Sequence, residues 1–194
     1  HESGALAALA GVQTQMMAGP TFTAAEVAAA YKGDDPYVSP TRVVAVENTH
    51  NMAGGICWDP AALAEVTQAT HALGMTTHLD GARLWNAAVT AKLTERELAH
   101  GFDSISVCLS KGLGAPGGSG GAGTRALIRR CHRFRKMHGG GMRQAGILAA
   151  AGLHAIDHHR ARLVIDHVNA RALAEALAEV RNLVVDLSRV HTNI

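Results

Sequence analysis

Apolar positions run through the chain with two periods. Alternating or unbroken β-branched runs predict strands at Arg42-Val-Val-Ala-Val-Glu47, Met75 to Leu79, Ser104-Ile-Ser-Val-Cys-Leu109 and Leu183-Val-Val-Asp-Leu187. Asp80 ends the second of these, and Ser110-Lys111 follows the third at once. Helical stretches lie between them. An Ala-rich helix covers Leu6 to Val12, and Thr23 with Glu26 three residues on forms a capping box for the next. Asp59-Pro60 supplies an N-cap and a proline at N1 for a helix running to about Leu73, where Gly74 stops it. Further helices are predicted over Ala82 to Thr90, after the Thr94 and Glu97 capping box, and over Thr124 to Met137, Arg143 to Asp157 and His159 to Val180.

Strands alternating with helices over short connections predict an α/β fold, with a mainly parallel sheet flanked by helices and right-handed crossovers. Ligands in such folds gather outside the carboxyl ends of the strands, which directs attention to Asp80 and Lys111. No internal repeat is present. The Gly-rich Gly112 to Gly123 reads as a loop, and no second domain is delimited within residues 1–194.

Composition narrows the class. A chain of 194 residues, 47% hydrophobic and 18% charged, suits one compact domain rather than a disordered segment. Lys and Arg number 18 against 16 Asp and Glu, spread along the chain, so no nucleic-acid or acidic-surface partner is expected. Apolar runs such as Ile147 to Leu153 fall well short of the ~20 residues that cross a bilayer. Cys57, Cys108 and Cys131 share no metal-like or paired spacing, which favours buried or idle thiols in a reducing cytoplasm. The start, His1-Glu2-Ser3-Gly4, has neither Met nor a basic signal-like segment, so the chain is expected to be part of something longer.

Asp80 and Lys111 are the residues that suggest chemistry. A lysine with apolar residues behind it and glycines ahead is expected to be partly desolvated, which favours a neutral amine able to form a Schiff base. An aspartate near a pyridine nitrogen would keep that nitrogen protonated, the state in which pyridoxal phosphate absorbs carbanion electrons. From the pattern alone, a solvated loop lysine and an ordinary Asp-Gly turn remain open as the alternative.

Four segments carry a resemblance. Glu47-Asn-Thr-His-Asn51, His78-Leu-Asp-Gly-Ala-Arg-Leu-Trp-Asn-Ala87, the stretch from Asp103 through Ser110-Lys111 to Pro116, and Gly139-Gly-Gly-Met-Arg-Gln-Ala-Gly146 resemble, in order and spacing, the low-specificity L-threonine aldolases. These are fold-type-I pyridoxal phosphate enzymes, and the resemblance implies that residues 1–194 form the cofactor-binding large-domain core. The family's N-terminal segment and small C-terminal domain fall outside it. Lys111 matches the lysine bonded to the cofactor aldehyde, and Asp80 the aspartate paired with its ring nitrogen. Arg83 matches an arginine contacting the substrate carboxylate and the cofactor. Arg143 matches one reaching the cofactor phosphate of a neighbouring subunit, which implies a homotetramer or homodimer with shared sites. His50 and Asn51 are expected to line the site. Tyr37 stands where the family has a histidine near the substrate hydroxyl.

The reaction implied is cleavage of L-threonine and other β-hydroxy-α-amino acids to glycine and an aldehyde. The family's ring-stacking histidine and phosphate-cradling segment precede the position matching Glu2, so His1 is not that histidine. A second carboxylate-binding arginine follows the position of Ile194. The 194 residues alone are therefore expected to be weakly active or inactive. Gly117 to Gly123, with five glycines, replaces an apolar strand of the family and makes a poor central strand.

Other readings compete. Gly112-Leu-Gly-Ala-Pro-Gly117 fits a dinucleotide fingerprint, but Pro116 delays any helix and no acidic residue stands about 20 positions on. His154 and His158 have metal-like spacing, yet a solvated helix face explains them more simply. Trp58 and Trp85 read as core or interface anchors. Functionally the rivals are a β-eliminating lyase, since the same electron sink serves both reactions, and a non-catalytic fragment that keeps only the scaffold.

Overall fold

The structure is a computed structural model describing residues 4–194; the expectation about His1 lies outside them. Its centre is a four-stranded sheet in the order β1 (Val43–Glu47), β2 (Thr76–Gly81), β3 (Ser104–Cys108) and β4 (Ser119–Gly123). β1, β2 and β3 are parallel, and β4 joins β3 antiparallel. Helix α3 (Pro60–Ala72) forms the β1–β2 crossover, while α4 (Leu84–Ala91) and the short α5 (Glu95–Leu98) form the β2–β3 crossover. α1 (Ala5–Ala10) and α2 (Ala24–Ala30) precede the sheet; α6 (Arg125–Met137), α7 (Gly146–His158) and α8 (Leu163–Ala178) follow it.

Local chemistry sets these boundaries. Thr23 and Thr94 close the two expected capping boxes, each accepting from the backbone N–H of its glutamate, and Asp59 accepts from Ala61 and Ala62 ahead of α3. The apolar face of the sheet (Val44, Val46, Leu79, Ile105, Val107) packs against Val27, Leu63, Val66, Leu84, Ala87 and Leu98. A second cluster, Leu113, Ala115, Ala155 and Leu163, fastens α7 and α8 to the turn after β3.

Two segments depart from the sequence reading. The glycine run is not a loop throughout: Ser119–Gly123 pairs with β3 in full register. Its position explains this, since an edge strand needs backbone pairing on one side only and glycine supplies that without side-chain packing. The run Leu183 to Leu187 is not a strand. Val184 is fully exposed, and a 3₁₀ turn occupies Leu187–Arg189. It pairs with none of the four strands, and the residues after it serve another purpose. Arg189 donates to Ala53 O (3.2 Å), His191 Nδ1 accepts from Cys57 N–H (3.1 Å), Thr192 Oγ1 donates to Gly55 O (3.1 Å), and Asn193 Oδ1 accepts from Asn86 Nδ2 (2.9 Å). The segment thus straps the loop after β1 to α4. Charge is also less evenly spread than expected: α6 carries Arg125, Arg129, Arg130, Arg133, Arg135 and Lys136 with no acidic residue. No helix of the described residues is long and apolar enough to cross a membrane.

Candidate active site

Because β1, β2 and β3 run parallel, their carboxyl ends lie along one edge, and the polar residues that end them are brought side by side. Glu47 on β1 is the register partner of Asp80 on β2, and Asp80 is the partner of Ser106 on β3. Asp80 Oδ1 accepts from Ala82 N–H at 3.0 Å, which fixes the carboxylate. No other donor reaches that carboxylate among the described residues, so one oxygen is left to a ligand. Gly81 follows by necessity: a Cβ there would fall 2.9 Å from Ser106 O and 3.1 Å from Leu84 Cβ. Its absence lets α4 start directly after the strand, with the half-buried Arg83 as its N-cap residue.

Lys111 lies three residues beyond the end of β3, on a turn closed by Gly114 N–H donating to Lys111 O (2.9 Å) and Ala115 N–H to Leu109 O (3.0 Å). The turn is anchored by the buried Leu113. Gly112 is a close approach, since a Cβ there would meet Leu163 Cδ2 of α8 at 2.8 Å. Lys111 itself is exposed, not partly desolvated as its flanks suggested. The glycines ahead of it provide no side chain to cover it. The glycine stretch leads into β4 and not into a helix, so the strand-to-helix turn that a dinucleotide fingerprint needs does not form.

The loop after β1 completes the edge. Asn48 N–H donates to Asp80 O (3.0 Å), Asn51 N–H donates to Glu47 Oε1 (3.0 Å), and His50 Nε2 lies 3.9 Å from Glu47 Oε2. Asn48 Nδ2, Thr49 Oγ1 and His50 Nδ1 are buried there without a partner. Unsatisfied polar atoms of this kind are costly, and beside Asp80 they suit a polar ligand or water. Tyr37 does not join this group. It is 93% exposed on the loop entering β1 from its amino end, which closes on itself through Thr41 N–H donating to Lys32 O (2.9 Å). Arg143 is exposed on the turn between α6 and α7, and no hydrogen bond or ion pair joins it to Asp80, Lys111 or Arg83 among the described residues.

Two contributions were not read from the sequence. The tryptophans are buried or half-buried anchors, as expected, but their indole N–H groups also hold strand ends: Trp58 Nε1 donates to Glu47 O (3.2 Å) and Trp85 Nε1 to Cys108 O (3.1 Å). The second is a polar sheet face below the edge. His78, Asp80, Ser104, Ser106 and Cys108 share it through the strand register, and His78 Nδ1 lies 2.8 Å from Ser104 Oγ. Burial pushes the His78 imidazole below its usual range, against the pull of the Asp80 charge. The period-2 alternation in Thr77-His-Leu-Asp80 and Ser104-Ile-Ser-Val-Cys108 carried that signal. Cys108 is pushed up by burial but held lower overall by hydrogen bonding from Ser110 and the Lys111 charge. His154 and His158 stack at 4.4 Å, and no group of three or more metal-binding side chains is found among the described residues.

Comparison with known proteins fits this geometry. The family model for beta-eliminating lyases matches residues 1–194. A low specificity L-threonine aldolase of Escherichia coli K12 is 41% identical over 196 residues, covering 100% of this chain and 57% of that protein. A low-specificity L-threonine aldolase of Arabidopsis thaliana is 40% identical over 163 residues, covering 84% of this chain and 45% of that protein. The chain thus spans about half the length of the relatives it matches. Among solved structures, a Listeria monocytogenes protein assigned as an L-allo-threonine aldolase superposes with a TM-score of 0.86 at 20% identity, over 100% of this chain and 52% of that one. The threonine aldolase of Leishmania major gives a TM-score of 0.76 at 21% identity, over 92% and 53%. The two structures establish a shared fold, and with the family model matching from end to end, the chain belongs to the beta-eliminating lyase family.

Proposed function

We propose that the full-length protein is a pyridoxal 5'-phosphate-dependent lyase that cleaves L-threonine and other β-hydroxy-α-amino acids to glycine and an aldehyde. The observation that carries this is the shared carboxyl edge of neighbouring parallel strands, which holds an oriented carboxylate (Asp80), an exposed amine (Lys111) and a guanidinium at a helix start (Arg83). The names of the Escherichia coli and Arabidopsis relatives support the choice of reaction.

When bound, pyridoxal phosphate supplies a ring that takes up the electrons of a breaking Cα–Cβ bond. Asp80, its Oδ1 already held by Ala82 N–H, would keep the ring nitrogen protonated. Lys111, the exposed amine of the turn after β3, would be the residue that holds the cofactor through its aldehyde. Arg83 pairs with the carboxylate of the amino acid, for which a planar two-pronged donor is well suited. His50, in the loop after β1, would border the cofactor. Arg143 and Tyr37 lie away from this cluster in a single chain, which fits service to the site of a neighbouring copy in a homotetramer or homodimer. In this reading residues 1–194 are the large-domain core of a cytoplasmic enzyme, and three cysteines without a disulfide agree with a reducing compartment.

Added pyridoxal phosphate is expected to give the visible absorbance of a lysine-bound chromophore in the full-length protein, and Lys111→Ala to abolish both the band and turnover. A band that survives Lys111→Ala refutes the assignment. Products decide the reaction: glycine plus aldehyde supports cleavage. Ammonia plus a keto acid points to β-elimination, the reading favoured by the description of the matching family model.

A further inference from the structure

The turn that carries Lys111 is held from outside itself. Lys111 is exposed, and no hydrogen bond or ion pair holds its amine among the described residues, so the reach of that amine is set by the backbone beneath it. That backbone is the turn from Lys111 to Gly114, whose third residue, Leu113, is buried. His159 Nδ1 lies 2.7 Å from Leu113 O, and no other donor reaches that carbonyl among the described residues. A carbonyl oxygen only accepts, so Nδ1 is the donor, and the neutral and the charged ring make this contact alike. His159 stands at the corner where α7 ends and a 3₁₀ turn (Arg160–Arg162) leads into α8. Its own N–H donates to Ala155 O and its O accepts from Arg162 N–H, both at 2.9 Å, while Ala155 and Leu163 on either side of it are buried in one cluster with Leu113. The same corner thus closes on the turn twice: Leu163 packs over Gly112, next to Lys111, and His159 bonds the carbonyl of the residue that follows.

We propose that His159 is a positioning residue for Lys111: by holding Leu113 O it fixes the turn from which the lysine amine reaches the aldehyde of the cofactor. Without that donor the buried carbonyl has no partner, and the turn relieves the loss by shifting toward water or another N–H, which carries the Lys111 backbone with it. A shift of ~1 Å is enough to spoil the approach of a reacting group. This rests on the proposed function and deepens it, because it names what sets the geometry of the lysine. His159 acts through Leu113 alone in this role, and no titration enters it.

The test compares the affinities of the full-length protein for pyridoxal phosphate and for pyridoxamine phosphate. The two share ring and phosphate, and only the aldehyde bonds to lysine, so their ratio isolates the placement of Lys111. His159→Leu, which removes the donor and keeps comparable bulk, is expected to lower the preference for the aldehyde at least ~10-fold while the affinity for the amine stays within about threefold. His159→Asn, whose amide nitrogen takes the place of Nδ1, is expected to keep the preference within about threefold of the unsubstituted protein. His159→Gln carries the same amide one carbon farther out and is expected to fall at least ~3-fold below His159→Asn, so the role stands or falls on that pair should the leucine variant not fold. Without cofactor, amide exchange at Gly114 and Ala115, the N–H groups that close the turn, is expected to be faster in His159→Leu and restored in His159→Asn. An unchanged preference or unchanged amide exchange in a folded His159→Leu protein, equal losses for aldehyde and amine, or equal preferences in His159→Asn and His159→Gln overturns the positioning role and leaves the Lys111 reading intact. Failure of the unsubstituted protein to form the lysine-bound chromophore overturns both.

Discussion

Residues one position apart on β2 meet different surroundings. Thr77 and Leu79 face the apolar layer under α3 and α4 and are buried, whereas His78 and Asp80 face a half-exposed layer of serines and carboxylates. The first face stabilises the domain by removing apolar area from water. The second contributes less to stability and holds the groups suited to chemistry. Polar side chains are tolerated there because each strand needs only one apolar face to be anchored, and the parallel register then sets their spacing without further packing.

The largest test of that division is Leu79→Ala, which removes the fully buried centre of the apolar face and is expected to cost ~2–5 kcal/mol in chemical denaturation; a loss under ~1 kcal/mol would mean the face repacks freely. Trp58→Phe is expected to cost less, ~1–2 kcal/mol, by taking the indole N–H from Glu47 O and some volume from the core. Its signature should be faster amide exchange at the carboxyl end of β1.

Acid titration should separate the faces again. The Thr77 backbone N–H is the main cause holding Asp103 below the usual carboxylate range, with His71 adding to it. Its folded value is lower than its unfolded value, so its contribution is present above about pH 4 and is lost as pH falls through the folded value. His78 is also lowered, by burial, so its contribution is present above about pH 6.5 and is lost at the folded value below that. Asp103→Asn should flatten only the more acidic part of the stability curve, and His78→Asn only the milder part.

The smallest effect should come from the two faces of β4. At Gly121, level with Ser106 on the polar face, a Cβ would come no closer than 4.0 Å to Ile105 O, so Gly121→Ala is expected within ~0.5 kcal/mol of neutral. Gly120, level with Val107, would put a Cβ 3.2 Å from Val107 Cγ2, and Gly120→Ala should be the less stable of the pair.

Much of this was legible in the sequence. The capping boxes, the Asp59-Pro60 start and the three β-branched or alternating strands are local signals, and the structure has them where their chemistry puts them. Asp80 and Lys111 were visible because a polar residue ending an apolar run marks a strand's carboxyl end. β4 was not visible, since a strand with three glycines in five residues carries no burial pattern and its pairing is a property of the β3 backbone. Leu183 to Leu187 misled for the opposite reason: the pattern is apolar, but the segment pairs with none of the four strands and leaves Val184 in solvent. The exposure of Lys111 was misjudged because flanking residues in a chain do not determine what lies above a side chain in space.

The strap of residues 189 to 193 joins positions more than 130 residues apart, among them Thr192 with Gly55 and His191 with Cys57. During synthesis from the amino end, β1 and its following loop emerge long before their fastening does. The corner that carries His50 therefore gains these hydrogen bonds only after residues 189 to 193 have left the ribosome.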